Sequence, residues 1–295
     1  MKDRWLWSLS FAVLLGCACG EKKPAGLAGS GTMEATEVLV SSKTGGTIVH
    51  LAVEEGQEVS EGRLIAVIDS EKVYLQKRQL LAGLKELQYN LLNAQRGVAL
   101  AEDNLDNTSK KFNRIRALWQ DSSATQQQYD DIETAFKASQ TQAATSRTAY
   151  DALQARQAQL EAQLELLSSQ LADCRILAPI QGTVLETYLE KGEIARPTSP
   201  VVKLADLRHM WIKVYLKEEE LGRVKIGQMA ALQIASQPDR RISGRLSWIS
   251  AKAEFTPKNV QTKEARSDLV YAVKVTADNP DGVLKIGMPA DVFLP

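Results

Sequence analysis

Two short segments with the pattern of β-strands flank a long helical segment in this chain. Residues 45–68 and residues 178–204 each alternate apolar and polar side chains around a glycine-containing turn, at 55–57 in the first segment and at 190–193 in the second. Each segment looks like half of one small β-domain. The sequence therefore predicts a β-domain whose chain is interrupted by a long insertion.

The insertion has the composition of a helix and the periodicity of a coiled coil. Between Lys72 and Pro179 there is no proline, and there are only two glycines, Gly83 and Gly97, which favours helix. Apolar or small side chains recur at alternating steps of three and four residues in two runs, separated by polar residues at 121–123. The predicted seam positions are Leu84, Leu87, Leu91, Ala94, Val98, Ala101, Leu105, Thr108, Phe112, Ile115 and Trp119, then Tyr129, Ile132, Phe136, Ser139, Ala143, Ser146, Tyr150, Leu153, Gln157, Leu160, Leu164, Leu167, Leu171 and Cys174.

Two helices of similar length joined by a short loop fold back as an antiparallel hairpin. With roughly 50 residues in each helix and a rise of about 1.5 Å per residue, each arm extends about 75 Å and acts as a spacer. Two residue pairs have the spacing of a capping box at the start of the second helix, Ser123 with Gln126 and Thr125 with Gln128. The turn is therefore predicted near residues 121–124.

Arg114, Leu118 and Thr125 lie around the predicted turn at spacings of four and seven residues. The simpler interpretation is structural, with Arg114 solvated on an exposed face and Leu118 packed in the seam. Their position at the tip of a predicted hairpin favours a binding surface instead.

With this tip and the two half-domains, the sequence resembles the periplasmic adaptor, or membrane fusion, proteins of Gram-negative export machines, often called HlyD-like. Members that dock on TolC-like outer-membrane channels carry an Arg-x3-Leu-x6-Ser/Thr pattern at the hairpin tip, which Arg114, Leu118 and Thr125 match. The resemblance implies that these three residues contact such a channel. It also implies an α+β multidomain fold, in which a long antiparallel α-helical coiled-coil hairpin is inserted in a split lipoyl-like (biotinyl-lipoyl) β-sandwich, with a small β-barrel.

A lipoyl or biotin carrier is an alternative for the split β-domain. In such a carrier a lysine at the tip between the two halves bears the cofactor, and the surroundings of Lys72 look similar. Here Lys72 leads into a long predicted helix instead of turning straight back. We therefore interpret Lys72 as an ordinary residue at a helix start and expect no cofactor.

The N-terminal residues predict export and attachment to a lipid. Lys2 and Arg4 precede an apolar run at 5–16, which is shorter than the roughly 20 residues that span a bilayer but suits a secretory signal. The run ends in Leu-Leu-Gly-Cys at Cys17, which resembles a bacterial lipobox and predicts Cys17 as the lipid anchor. Lipidation of Cys19, an ordinary signal and an uncleaved anchor are the alternatives.

Nothing in the sequence points to catalysis or to a metal. Three cysteines in an exported protein do not make a disulfide framework, and Cys174 falls on the seam, where a buried thiol is expected. His50 and His209 lack clustered metal-ligating partners, and the common enzyme motifs are missing. With 36 basic and 36 acidic residues the net charge is zero, which argues against binding of nucleic acid.

From residue 206 onward the period of two returns and predicts a β-rich domain. The predicted strands are 211–216, 231–234, 242–249, 270–275 and 287–292, with a short helix at 216–224. The resemblance implies that they form a five- or six-stranded barrel, to which residues 37–40 add a strand.

Partner class is predicted from the C-terminal part. Residues 255–262 and 269–275 are similar to adaptors of ABC-type exporters. The chain also stops at Pro295, without the membrane-proximal domain usual in adaptors of proton-driven RND pumps. We therefore expect an inner-membrane ABC transporter as partner, with an RND pump as the alternative. The resemblance further implies a TolC-like channel as the second partner and a hexameric ring, held in the periplasm at the inner membrane by the lipid.

The predicted organisation combines these segments. It comprises a signal peptide at 1–16, a lipid anchor and flexible tether at 17–32, a strand joining the barrel at 33–41, the two lipoyl-like halves at 42–69 and 176–206, the hairpin at 70–175 and the β-barrel at 207–295.

Overall fold

The structure is a computed structural model that describes residues 26–255 and 269–294. By its contacts the chain divides into two compact units, Val38–Leu204 and the remainder. The elements in chain order are β1 (Gly26–Ser41), β2 (Gly46–Leu51), β3 (Glu58–Val59), β4 (Leu64–Ile68), α1 (Glu71–Gln120), α2 (Gln126–Asp173), β5 (Arg175–Leu177), β6 (Gly182–Thr187), β7 (Ile194–Ala195), β8 (Pro200–Lys217), α3 (Glu218–Leu221), β9 (Met229–Ile234), β10 (Gln237–Phe255), β11 (Leu269–Asp278) and β12 (Pro289–Leu294).

The first unit contains a β-sandwich built from both predicted half-domains. β4, from the first half, pairs with β5, from the second, and β2 pairs with both β4 and β7. β3 and β6 join the two halves again. Ile48, Ile68, Val184 and Leu204, from both halves, are buried in one hydrophobic core. Because each such side chain contributes about 1.5–3 kcal/mol when fully buried, the two halves stabilise each other.

The helical hairpin leaves and re-enters the sandwich at neighbouring strands. α1 follows β4 and α2 leads into β5, and these two strands pair with each other. The amide of Ile68 donates to the carbonyl oxygen of Cys174 at 2.8 Å. The amide of Glu71, the first residue of α1, donates to Asp69 Oδ1 at 3.0 Å. Because both ends of the insertion lie side by side, the hairpin does not interrupt the sandwich.

The predicted coiled-coil seam is confirmed. α1 has 50 residues and α2 has 48, so the two arms match in length. Every predicted seam position is buried or half-buried except Trp119. The most buried within the helices are Leu84, Leu87, Val98, Ala101 and Ala143. Most of the others remain half-buried, because two helices alone cannot cover both sides of a seam.

The second unit is a β-barrel of six strands in the order β1-β12-β9-β10-β11-β8, closed by pairing of β1 with β8. Large apolar side chains that are fully buried include Met33, Met210, Ile212, Leu216, Leu232, Ile234, Leu246 and Leu284. The sandwich, the hairpin and the barrel together confirm the predicted α+β multidomain fold.

The flexible tether predicted at 17–32 is wrong for residues 26–32, because β1 begins at Gly26, and residues 17–25 lie outside the described residues. Residues 26–32 read as a linker in the sequence, since glycine and alanine hide any alternation. In the structure this segment pairs with β12. A Cβ on Gly31 would lie 2.3 Å from the carbonyl oxygen of Lys213 in β8. Glycine here therefore permits close approach of two strands, not flexibility.

Two further boundaries differ from the predictions. The helix expected at 216–224 is one short helix at Glu218–Leu221, because β8 continues to Lys217. The strand expected at 242–249 is the longer β10, whose pairing with β9 and β11 is interrupted by register shifts. Such shifts break the period of two that defines a strand in sequence.

Candidate functional site

The hairpin turn is closed by backbone hydrogen bonds at the end of α1. The amide of Ser123 donates to the carbonyl oxygen of Leu118 at 2.7 Å, and the amide of Ser122 donates to that of Trp119 at 3.0 Å. This pattern is a Schellman motif. Ser122 has a φ of 57°, a left-handed conformation that usually belongs to glycine. The conformation of the turn is therefore stabilised by backbone hydrogen bonds.

Thr125 begins the second arm as the N-cap of α2. Its Oγ1 accepts a hydrogen bond from the amide of Gln128 at 3.3 Å, and Gln128 Oε1 accepts one from the amide of Thr125 at 2.9 Å. Of the two capping boxes that the sequence allows, the structure uses this one. The side chain of Thr125 is exposed, and its hydroxyl hydrogen is not used by the cap. One residue can therefore cap α2 and also present a donor to a partner.

We expect Thr125→Ala to weaken the first turn of α2 by about 1 kcal/mol, because a backbone amide loses its capping acceptor. Thr125→Ser keeps the oxygen and should match the wild-type protein. Hydrogen exchange of the amides of Gln128 and Tyr129, which donate to Thr125, measures the effect locally. Equal exchange rates in the two variants would show that the cap contributes nothing.

Arg114 and Leu118 lie one helical turn apart on α1, at a spacing that places side chains on the same face. Both are exposed, and the exposed fraction of Leu118 is 41%. The nearest predicted seam residue before Leu118, Ile115, is half-buried. Leu118 is therefore not ordinary seam packing, and its apolar surface is available to a partner.

A cluster of aromatic side chains near the tip was not anticipated as a unit. The rings of Phe112 and Phe136 stack with centroids 5.0 Å apart, and those of Trp119 and Tyr129 stack at 4.8 Å. Phe112 also meets Tyr129 at 6.0 Å. Each pair is worth about 0.5–1.5 kcal/mol beyond its buried area. All four are predicted seam positions. Aromatic residues at seam positions on both sides of the predicted turn are the sequence feature that indicates such a cluster. The cluster joins the two arms just below the turn.

The other residues singled out in the sequence do not lie with Arg114, Leu118 and Thr125 at the hairpin tip. Cys17 lies outside the described residues. Lys72 is exposed in the first turn of α1, and the described part of the chain holds no group of three potential metal ligands. Burial, followed by the carboxylates of Asp173 and Asp69, raises the pKa of the Cys174 thiol. None of the described helices is both long and apolar enough to cross a bilayer.

Family comparisons agree with this architecture segment by segment. The family model for a CzcB-like, barrel-sandwich hybrid domain matches residues 36–206, more than half of the chain. The chain belongs to the periplasmic adaptor, or membrane fusion, protein family. The family model for a CusB-like, beta-barrel domain matches residues 209–294 of this adaptor.

Relatives of the adaptor cover most of its length. It is 31% identical over 290 residues to the UPF0194 membrane protein in the asrC 5′ region of Acidithiobacillus ferridurans, covering 90% of this chain and 86% of the relative. It is 27% identical over 325 residues to the UPF0194 membrane protein YbhG of Salmonella paratyphi B, covering 99% and 97%. Its fold is similar to the crystal structure of MacA from Actinobacillus actinomycetemcomitans, with a TM-score of 0.67, 22% identity, and coverage of 93% and 81%.

Membership of this family has consequences for what the chain does. Adaptors of this kind are non-enzymatic proteins of transport and efflux. The family implies partnership with an inner-membrane transporter and an outer-membrane channel, and it implies self-association.

Proposed function

We propose that this adaptor bridges an ABC-type transporter of the inner membrane to a TolC-like channel of the outer membrane. The observation that carries the proposal is the hairpin: two matched arms of 50 and 48 residues end in a turn with exposed Arg114 and Leu118. At about 1.5 Å per residue each arm extends about 75 Å from the sandwich. An export path of this kind needs length and a docking surface, not catalysis.

At the tip, Arg114, Leu118 and Thr125 are the proposed contacts with the channel. Leu118 supplies an apolar anchor, and the guanidinium of Arg114 can donate to several carbonyl or carboxylate oxygens at once. Thr125 adds a hydroxyl donor beside the turn. Arginine side chains are among those that dominate the binding energy of many interfaces.

The transporter class is the finer part of the proposal. The similarity of residues 255–262 and 269–275 to adaptors of ABC-type exporters supports an ABC partner, although residues 256–268 lie outside the described residues. An RND pump is the second candidate, and the match of the barrel to an RND-type, CusB-like family model favours it. With an ABC partner the energy for export comes from ATP hydrolysis by the transporter. With an RND partner it comes from proton movement through the pump.

The experiment that separates the two classes is purification of the adaptor from native membranes after crosslinking. An ABC partner is expected to copurify as an ATPase whose hydrolysis rate rises when the adaptor is present. A copurified proton-driven pump without ATPase activity would favour the second candidate. Recovery of no transporter would contradict both.

Self-association is proposed to produce a closed ring, by family resemblance a hexamer. Cyclic closure lets each copy use the same two surfaces, so small pairwise contacts suffice once the ring is complete. The same crosslinked sample should contain oligomers of the adaptor up to that size. A strictly one-to-one complex with the transporter would contradict the ring.

Cys17 is the proposed lipid anchor, so we expect Cys17→Ala to leave an unprocessed or unanchored protein. Metabolic labelling with a fatty-acid analogue measures this directly, and Cys19→Ala is the matched control. Label that persists on Cys17→Ala but disappears from Cys19→Ala would assign the anchor to Cys19 instead.

A further inference from the structure

The outer face of the barrel carries a shallow pocket of about 310 Å³. We call it the Trp–Lys pocket, and it is lined by Trp211, Lys213, Trp248 and Lys274. These residues come from three adjacent strands, β8, β10 and β11. They face outward, because Ile212, the residue between the two lining residues of β8, is fully buried.

The strand register brings the two lysines together. Lys274 lies directly opposite Lys213 in the pairing of β11 with β8, and opposite Trp248 in the pairing of β11 with β10. Like charges that face each other across a ladder repel. No described carboxylate lies within ion-pair distance of either ammonium group. The pocket therefore holds two adjacent cationic groups without an anionic partner from the described part of the chain.

The two indoles give the pocket an apolar wall. The Nζ of Lys274 lies 3.8 Å from the ring centroid of Trp211, a cation–π contact that holds the ammonium in place. Trp248 keeps 43% of its surface exposed. Arg245, on the same strand as Trp248, is also exposed, but its guanidinium donates to the carbonyl oxygen of Gly227 at 3.4 Å and does not line the pocket. Exposed indole beside lysine is the combination that proteins place at the boundary between membrane and water.

We propose that the Trp–Lys pocket binds the phosphate headgroup of an anionic phospholipid at the bilayer surface. A phosphodiester between Lys213 and Lys274 would neutralise their repulsion, while Trp248 would contact the glycerol and upper acyl region. Basic groups near an anionic leaflet are attracted to it within a Debye length. An acidic segment of a protein partner would also supply negative charge for the two lysines. Unlike a phospholipid, it would not place apolar groups directly beside that charge, where the exposed indole of Trp248 lies.

The position of the pocket in the chain fits a bilayer nearby. β8 lies beside β1, the strand that begins at Gly26. A lipid on Cys17 would tether Gly26 within about 30 Å of the membrane, the maximum reach of the intervening chain. This step alone rests on the proposed anchor; the charge and the indoles do not depend on it.

Quenching of tryptophan fluorescence by brominated lipids tests the proposal in the full chain. The protein has five tryptophans, and replacing Trp5, Trp7 and Trp119 by phenylalanine leaves the two in the pocket as the only tryptophans, whose emission is excited selectively over that of tyrosine. Vesicles contain brominated phosphatidylglycerol or brominated phosphatidylcholine. We expect half-maximal quenching at about tenfold lower lipid concentration with phosphatidylglycerol. Lys213→Gln with Lys274→Gln should abolish this preference, whereas Lys252→Gln with Lys285→Gln, exposed lysines outside the pocket, should keep it.

Three results would overturn the proposal: equal quenching by both lipids, a preference that survives Lys213→Gln with Lys274→Gln, or spectral changes with inorganic phosphate as large as those with vesicles. If neither lipid quenches and the pocket crosslinks to an acidic protein segment, the site is a protein-docking site instead. A Cys17→Ser version is measured in parallel. Preference for phosphatidylglycerol in that version, with no lipid found on Cys17 of the parent protein, would refute the anchor and leave the pocket standing.

Discussion

Proteins carrying Arg114→Asp or Leu118→Ser are expected to fold normally, to lose capture of the outer-membrane channel and to lose export with it. Both side chains are exposed at the tip, so neither change removes core packing, and each should cost no more than about 1 kcal/mol of stability. Binding should suffer far more. Loss of an interface anchor of 2 kcal/mol or more corresponds to capture weakened by about 30-fold.

Matched controls separate docking from folding in this experiment. Arg116→Asp and Leu100→Ser make the same chemical changes at exposed positions of α1 outside the tip motif, and should bind and export normally. Leu87→Ser removes a buried seam residue and should cost about 2–4 kcal/mol. If folded Arg114→Asp and Leu118→Ser proteins still capture the channel, then Arg114 and Leu118 do not contact it, and the proposed docking surface is wrong.

Gly31→Val is expected to open the barrel between β1 and β8, with a loss of about 3 kcal/mol or more. The new Cβ would lie 2.3 Å from the carbonyl oxygen of Lys213 and 3.1 Å from Ile212 Cγ1. The first of these is a backbone atom, so rotation of a side chain cannot relieve the clash. Because β1–β8 pairing closes the barrel, the strands must separate or shift.

Gly26→Val is the control for that variant, because nothing lies within 4 Å of a Cβ added there. Denaturant unfolding measures the stability of the barrel when Trp5, Trp7 and Trp119 are replaced by phenylalanine, so that the fluorescence of Trp211 and Trp248 is followed. Equal midpoints for the two variants would mean that β1 does not close the barrel at Gly31.

The hairpin could be predicted from sequence because its determinants are local. A repeat of three and four residues defines the seam, and the pair Thr125 and Gln128 defines the start of α2. The split sandwich was also predictable, since each half has its own alternation and turn. What the sequence could not show is which strands pair, such as β4 with β5 at the base of the hairpin.

The less predictable features depend on contacts between distant segments. Gly31 looks like a linker residue until β8 is placed against it. β10 has register shifts against both neighbours, so its full length does not show as alternation. The aromatic cluster at the tip and the pairing of Lys213 with Lys274 arise only when separate segments come together. The exposure of Leu118 is visible only in the three-dimensional structure, because its position in the sequence is also compatible with packing in the seam.

Site-specific photo-crosslinking from the tip tests most directly whether this adaptor reaches an outer-membrane channel. A photoreactive amino acid replaces Gln127, an exposed residue in the first turn of α2, and Gln95, exposed well below the tip on α1, serves as the control. Crosslinking is done in intact cells, and the products are purified through the adaptor. We expect a TolC-like channel bound covalently from Gln127 but not from Gln95, with an inner-membrane transporter in the same purified complex. Products from Gln127 that contain only inner-membrane or soluble proteins would contradict the bridging function.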